Sequence, residues 1–167
     1  HAGTLSPFAL VREVKQWFDG TVILSGSIGD GHSVASAIAL GADFAYLGTR
    51  FIATEEANAE PEYKKMLEES AAQDIVYSSL FTGVLGNYLK PSIKNAGLDP
   101  ENLPDADKSS MNFGSGGNTD SKAWKDIWGS GQGIGGIKDS PSVAELVGRI
   151  KSEYEEAYNE FKLKTGN

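Results

Sequence analysis

Two glycine-rich turns, each directly after a short β-rich run, hold the residues best suited to binding a ligand. The first spans residues 25–31, SGSIGDG, and the second is Gly48 with Thr49. Glycine lets the backbone approach a ligand closely, and N–H groups at a helix N-terminus favour an anion such as phosphate. Two adjacent turns can converge on one anion, and the Thr49 hydroxyl can add a hydrogen bond. Taken alone, each turn leaves phosphate binding and simple chain reversal as alternatives.

Helix and strand patterns alternate around these turns. Ser6 as an N-cap and Pro7 as the first helical residue predict a helix, whose apolar positions are Leu10, Val11, Val14, Trp17 and Phe18. Residues 21–24 and 43–47 are β-branched or apolar and predict two buried parallel strands. The alanine-rich residues 32–40 between them predict a helix capped by Asp30. This alternation predicts an α/β fold with equivalent glycine turns after both strands.

The remainder of the chain reads mostly as helix and loop. Pro61 opens a predicted helix to about residue 70, residues 74–81 read as extended, and residues 87–95 read as helical. The polar residues 97–121 predict a loop, and residues 129–136 form another glycine-rich run. Ser142 and Glu145 fit a capping box that opens the last helix, whose predicted apolar face is Val143, Val147, Ile150, Tyr154 and Phe161.

Composition limits the classes of function. The chain has 167 residues and a net charge of −8, which opposes nonspecific binding to nucleic acid or to an anionic membrane. It contains no cysteine, which excludes thiolate metal sites and cysteine nucleophiles within this chain. No apolar run reaches the roughly 18 residues that cross a bilayer, and no His/Asp/Glu spacing indicates a metal site. We therefore expect a cytoplasmic protein.

The first residue is His1 rather than methionine. Two or three parallel strands alone would leave open edges and an uncovered core. Phosphate sites of (β/α)8 barrels often lie on the loops after strands seven and eight. We therefore expect the chain to be one partial domain, the C-terminal portion of such a barrel with additional C-terminal helices. Residues 1–60 would supply the last strand–helix units with the phosphate-binding turns, and residues 61–167 a helical and loop region.

Several segments in order resemble the nitronate monooxygenase family, the former 2-nitropropane dioxygenases. His1-Ala2-Gly3 resembles the end of the family's Gly-Gly-His-x-Gly motif, and Ser25-Gly26-Ser27-Ile28 resembles its Ala-Gly-Gly-Ile turn. Leu47-Gly48-Thr49-Arg50-Phe51, with Ala53-Thr54-Glu55 and Tyr63-Lys64 after it, resembles the signature of its eighth strand. WGSGQGIG, residues 128–135, resembles a C-terminal glycine-rich segment of the family.

The resemblance implies an FMN-dependent TIM-barrel enzyme of which this chain is the C-terminal half. It implies that FMN phosphate is held by Gly26, Ser27, Tyr46, Leu47, Gly48 and Thr49. It implies that His1 is the catalytic base at the substrate α-carbon, for which an imidazole titrating near neutrality is suited. The implied reaction oxidises an alkyl nitronate or nitroalkane with oxygen to a carbonyl compound and nitrite. Its partners would be the nitronate substrate, oxygen and the missing N-terminal half of the barrel.

Other interpretations of the same turns stay open. An FMN-dependent enoyl reductase of the same superfamily shares them, and a non-catalytic fragment that binds a phosphate ligand would use them equally. Arg50 is suited either to neutralising phosphate or to pairing with Glu55 or Glu56. Gly131 and Gln132 could lie near the flavin. Side chains that read as surface, capping, packing or solvated positions are His32, Asp30, Trp17, Trp124, Trp128, Glu153, Glu155, Glu156 and Glu160.

Overall fold

A computed structural model describes residues 3–104 and 126–166 of the protein, and those residues form an α/β structure without a closed barrel. The helices are α1 (Pro7–Val14), α2 (Gly31–Leu40), α3 (Thr49–Ile52), α4 (Pro61–Glu69), α5 (Lys90–Asn95) and α6 (Val143–Thr165). The strands are β1 (Ile23–Ser25), β2 (Phe44–Tyr46), β3 (Ile75–Ser78) and β4 (Gly86–Leu89), and short 3-10 helices lie at Ala72–Asp74 and Gln132–Gly136. The α/β prediction is confirmed. None of the described helices is long and apolar enough to cross a membrane.

Strands β1 and β2 form a parallel pair, with α2 as the crossover. Ile23 is aligned with Phe44 and Ser25 with Tyr46, so the two strands end at the same level. A small core lies between the pair and helices α1 and α2, and its buried members are Val11, Leu24, Ile28, Ala37 and Ala42. Because parallel strands in register present their carboxyl ends at one edge, the turns after β1 and β2 emerge side by side.

Local capping explains where the first helices begin and end. The Ser6 hydroxyl accepts a hydrogen bond from the Phe8 amide, which confirms the predicted N-cap of α1. Asp30 and Ser33 form a reciprocal capping box at the start of α2. Gly41 ends α2 in the left-handed conformation, at φ 108°. A residue without Cβ adopts that conformation at little cost, so the chain can turn directly into β2.

Strands β3 and β4 form an antiparallel hairpin within the region that the sequence predicted as helix and loop. The prediction of an extended segment at residues 74–81 is confirmed over β3, but the prediction of a helix from Asn87 is wrong. Residues 86–89 pair with β3, from Ser78 opposite Gly86 to Ile75 opposite Leu89. The helix begins only at Lys90, with Pro91 in its first turn, where a missing N–H costs no intrahelical bond.

The predicted capping box of the last helix is confirmed, but its predicted apolar face is partly wrong. Val147 and Phe161 are exposed, whereas Leu146 is buried. Helix α6 packs on α2 so closely that a Cβ at Gly31 would overlap the Ile150 carbonyl. The face that packs on α2 thus leaves Val147 and Phe161 exposed, which the sequence pattern alone did not predict.

Several predictions fall on residues outside the described ranges. They include the catalytic role of His1, the packing role of Trp124 and most of the predicted loop at residues 97–121. The described part of that loop, residues 97–104, contains turns and no helix or strand.

Candidate functional site

One cavity of about 380 Å³ lies where the turns after β1 and β2 meet. The first turn contributes Ser25 to Gly29, and the second contributes Tyr46, Gly48 and Thr49. The walls are completed by Arg50, Ile52, Ile137 and parts of the glycine-rich run, namely Gly129, Ser130, Gly131 and Gly133. The parallel register thus brings together residues that are more than 20 positions apart in sequence.

The backbone of the two turns leaves open space for a ligand beside Gly26 and Gly48. Gly26 has φ 101°, a conformation that side chains rarely adopt, and Gly48 has φ −109°. A Cβ built on either glycine would meet no atom within 4 Å. Packing therefore does not require glycine at these positions, and the space beside each backbone is open. Ser27 follows with φ 58°, which costs a residue with a side chain about 1 kcal/mol.

Three amide groups at the cavity have no partner in the described part of the protein. No residue among 3–104 and 126–166 accepts a hydrogen bond from the amides of Ser27, Gly48 or Thr49. Unpaired backbone donors that face a cavity are suited to binding an anion. The cavity is therefore lined by residues from both turns whose amides have no partner in the described ranges.

The N-terminus of α2 is not a free anion site, contrary to the expectation that a helix N-terminus would assist the first turn. Its Ser33 amide donates to Asp30 Oδ1 at 2.7 Å, and its Gly31 amide donates to Glu153 Oε2 at 2.8 Å. Two carboxylates already occupy the positions that a phosphate would take. Glu153, predicted as part of a solvated face, instead accepts a hydrogen bond from the first residue of α2.

Residues 129–133, which we call the glycine segment, form the third wall. The Gly131 amide donates to Thr49 Oγ1 at 2.8 Å. A Cβ at Gly133 would lie 2.8 Å from the Ser27 carbonyl oxygen, and one at Gly29 would lie 2.7 Å from the Gly133 carbonyl oxygen. The glycines are needed because backbone packs directly on backbone there. Gly131 lines the cavity as the sequence suggested, whereas Gln132 is exposed and lies outside its lining.

Tyr63 and Trp128 hold the glycine segment on the side away from the turns. Their rings stack at 5.0 Å between centroids with an interplanar angle of 14°. The Tyr63 hydroxyl donates to the Gly129 carbonyl. Burial raises the pKa of Tyr63 to about 12, so the hydroxyl keeps its proton near neutral pH. The prediction that Trp128 is a packing residue is confirmed, and the hydrogen bond of Tyr63 was not evident from the sequence.

Arg50 pairs with neither of the partners that the sequence suggested. Its guanidinium is buried and donates to the Ala53 carbonyl at 3.0 Å and to Asp139 Oδ1 at 3.0 Å. Asp139 also accepts two hydrogen bonds from Arg149, and those bonds are the largest cause that lowers the pKa of the Asp139 carboxyl. Burial lowers the pKa of Arg50. The pair therefore supports the cavity wall to which Arg50 belongs, through a contact between residues 89 positions apart.

The predicted phosphate-binding residues are largely brought together. Gly26, Ser27, Tyr46, Gly48 and Thr49 all line the cavity. Leu47 is not part of that lining, and its side chain packs against the core between the parallel pair and helices α1 and α2. His32, predicted as a surface residue, is exposed. In the described ranges, no group of three or more His, Asp or Glu residues is placed to hold a metal ion.

The fold and cavity define the class: an α/β protein with glycine turns that present backbone amides to a common pocket. Comparison with known proteins gives the family, because the family model for nitronate monooxygenase matches residues 1–153. The chain belongs to the nitronate monooxygenase family, whose members are flavin oxidoreductases. A nitronate monooxygenase of Paraburkholderia phytofirmans is 30% identical over 163 residues, which are 95% of this chain and 44% of that protein.

Solved structures share the fold. FabK from Thermotoga maritima matches with a TM-score of 0.69 and 23% identity, over 96% of this chain and 52% of that one. A nitroalkane oxidase from Streptomyces ansochromogenes matches with a TM-score of 0.66 and 21% identity, over 94% of this chain and 46% of that one. The chain thus spans about half the length of the proteins that it matches.

Proposed function

We propose that the cavity binds the phosphate group of FMN. The observation that carries this proposal is that Ser27, Gly48 and Thr49, whose amides have no partner in the described ranges, line one cavity. Charge-assisted hydrogen bonds from backbone N–H groups to an anion are about twice as strong as neutral ones. The open space beside Gly26 and Gly48 fits a group that approaches the backbone closely. Membership of a flavin enzyme family supports the choice of FMN over other phosphates.

We propose further that the chain takes part in the oxidation of an alkyl nitronate or nitroalkane to a carbonyl compound and nitrite, with oxygen as the second substrate. The flavin supplies the electron transfer. The described residues bind and orient its phosphate. His1, from its resemblance to the family's motif histidine, is the proposed base that removes the α-proton of a neutral nitroalkane and so forms the nitronate. The match to nitronate monooxygenases supports this reaction over that of an enoyl reductase.

The proposed activity depends on further strands that pair with β1 and β2. Ile23, Phe44 and Tyr46 point their side chains from this pair into solvent, and each is about 60% exposed. A bare apolar face on two short parallel strands is typical of a sheet that continues. We propose that the remaining barrel strands of the whole protein cover this face and complete the flavin cleft.

Gly48→Ala tests the phosphate site separately from the fold. Gly48 has negative φ and open space around it, so alanine should leave the thermal midpoint nearly unchanged. The added methyl group would take up space where the anion approaches, so we expect FMN affinity, measured by flavin fluorescence quenching, to fall by at least 10-fold. Gly135→Ala is the matched control, because it also adds a methyl group in open space but lies outside the cavity lining. Equal FMN affinity in both variants would contradict the proposal.

His1→Asn tests the proposed base. Asparagine keeps a polar side chain but cannot accept the substrate proton near neutral pH. We expect the whole protein to retain its flavin absorbance and lose most turnover of a neutral nitroalkane, measured as nitrite release. Undiminished turnover would exclude His1 as the base and leave the phosphate site untouched.

A further inference from the structure

The hydroxyl group of Thr49 is held in one orientation by the glycine segment. A hydroxyl offers one proton and two acceptor lone pairs. The Gly131 amide donates into one of those lone pairs at 2.8 Å. No residue in the described ranges accepts the Thr49 proton, although a helical threonine commonly donates to the carbonyl of the preceding turn. The proton is therefore available to an acceptor in the cavity that Thr49 lines.

The position of Gly131 depends on contacts with the opposite side of the fold. The Ser130 amide donates to the Asn87 carbonyl at 3.2 Å, and the Leu89 amide donates to the Trp128 carbonyl at 2.8 Å. Tyr63 adds a side-chain hydrogen bond to the Gly129 carbonyl, two residues before Gly131. These contacts attach the glycine segment to helix α4 and strand β4, while Gly131 and Gly133 contact the turns.

We propose that Tyr63 is a positioning residue for the cofactor phosphate: by fixing the glycine segment, it makes the Gly131 amide orient the Thr49 hydroxyl as a donor into the cavity. The inference rests on the proposed function, because the acceptor is taken to be the FMN phosphate. It extends the site to a side chain that does not line the cavity. The consequence is specific, since Tyr63 should matter for recognising the phosphate and not for recognising the flavin ring.

Tyr63→Phe tests this role because phenylalanine keeps the ring that stacks on Trp128 and removes only the hydroxyl. Dissociation constants for FMN and for riboflavin, which lacks the phosphate, are measured by flavin fluorescence quenching. We expect the FMN constant to rise about 3- to 10-fold, as for the loss of one net hydrogen bond, and the riboflavin constant to change less than about 2-fold. Their ratio is the decisive quantity, because partial unfolding raises both constants by the same factor.

Two further variants make the test specific. Tyr158→Phe removes an exposed hydroxyl from α6, away from the cavity, and should leave both constants unchanged. Thr49→Val keeps the shape of the threonine but removes its hydroxyl. In that background Tyr63→Phe should no longer change the ratio, because the group through which it acts is absent.

The outcomes separate the inference from the proposed function. If Tyr63→Phe weakens FMN and riboflavin equally, or acts undiminished in the Thr49→Val background, the positioning role is wrong while the phosphate site stands. If the unsubstituted protein binds FMN and riboflavin equally, the phosphate site itself is wrong and the inference falls with it. Should Tyr63→Phe fail to fold, Trp128→Phe is the substitute, because it weakens the ring stacking that holds the same segment. It should raise the FMN constant relative to the riboflavin constant in the same way.

Discussion

The two strand pairs of this protein differ in how they are covered. Every residue of β4 is buried, and the core beside it contains Leu67, Leu89 and Ile134 at 0% exposure. The parallel pair has an exposed residue at both ends of each strand, and only Leu24 in it is buried. The hairpin is thus a finished structural unit, whereas the pair that carries both glycine turns is covered on one side only.

The difference shows how stability and function are divided along the chain. The pair that carries the candidate site leaves residues at both ends of each strand exposed, and the site is completed by the glycine segment, which the hairpin and α4 hold in place. The well-packed half therefore supports the open half at the cavity. Substitutions should then affect stability most on the hairpin side and affect ligand binding most on the side of the parallel pair.

The largest loss of stability is expected for a substitution in the packed core beside the hairpin. Leu89→Ala removes a fully buried side chain and should lower the free energy of unfolding by about 3 kcal/mol, from lost burial and the cavity left behind. Phe44→Ala removes a larger side chain that is 60% exposed and, in this chain without the remaining barrel strands, should change stability by less than about 0.5 kcal/mol. Urea unfolding of both variants measures the contrast. Equal losses would show that the two pairs are equally well packed.

Sequence patterns predicted the features that are fixed locally. The caps at Ser6, Asp30 and Ser142 depend on residues within three positions, and glycine turns after both short strands were evident for the same reason. Features set by distant contacts were not predictable. Residues 87–89 form a strand because they pair with β3. Arg50 forms its ion pair with Asp139, 89 positions away, and not with the glutamates near it in sequence. The role of Glu153 at the start of α2 likewise depends on helix packing across 122 residues.

The ion pair between Arg50 and Asp139 at the cavity wall provides the next prediction. Asp139→Asn removes the charge that faces buried Arg50, and we expect a loss of about 2 kcal/mol, less than for a fully buried pair because Asp139 is half exposed. The control is Glu69→Gln, which breaks the exposed pair with Lys65 and should cost less than about 0.5 kcal/mol. A loss as small as that of the control would show that Arg50 does not need its partner.

The same pair predicts a pH dependence. The folded-state pKa of Asp139 is lowered, so its contribution to stability is complete above its ordinary value near 3.8 and is lost as pH falls below that value. The unsubstituted protein should therefore lose more stability than Asp139→Asn between about pH 5 and pH 3. Thermal midpoints across that range measure the difference. Parallel curves would contradict the assignment.

A smaller effect concerns the first turn. Gly26→Ala introduces no clash but places a side chain at φ 101°, so we expect a loss of about 1–2 kcal/mol from backbone strain alone. Gly135→Ala adds the same methyl group in open space without positive φ and should be nearly neutral. A Gly26→Ala variant as stable as this control would mean that the turn readily adopts another conformation.

The smallest effect is expected at Ser27. Ser27→Gly relieves the strain of a side chain at φ 58°, which stabilises the folded protein. It also raises the backbone entropy of the unfolded chain, so the two contributions to the free energy of unfolding nearly cancel. We expect a stability change within about 1 kcal/mol and no loss of FMN affinity, because the Ser27 amide is retained. A large loss of affinity would show that the serine hydroxyl, and not the backbone, contacts the phosphate.

The central claim is that the turns after β1 and β2 bind a phosphate group through their amides. The most direct test is isothermal titration of the unsubstituted protein with FMN and with riboflavin at one salt concentration. The structure predicts that FMN binds at least about 10-fold more tightly, because the amides form charge-assisted bonds only with the phosphate. Equal affinities for the two flavins would contradict the claim.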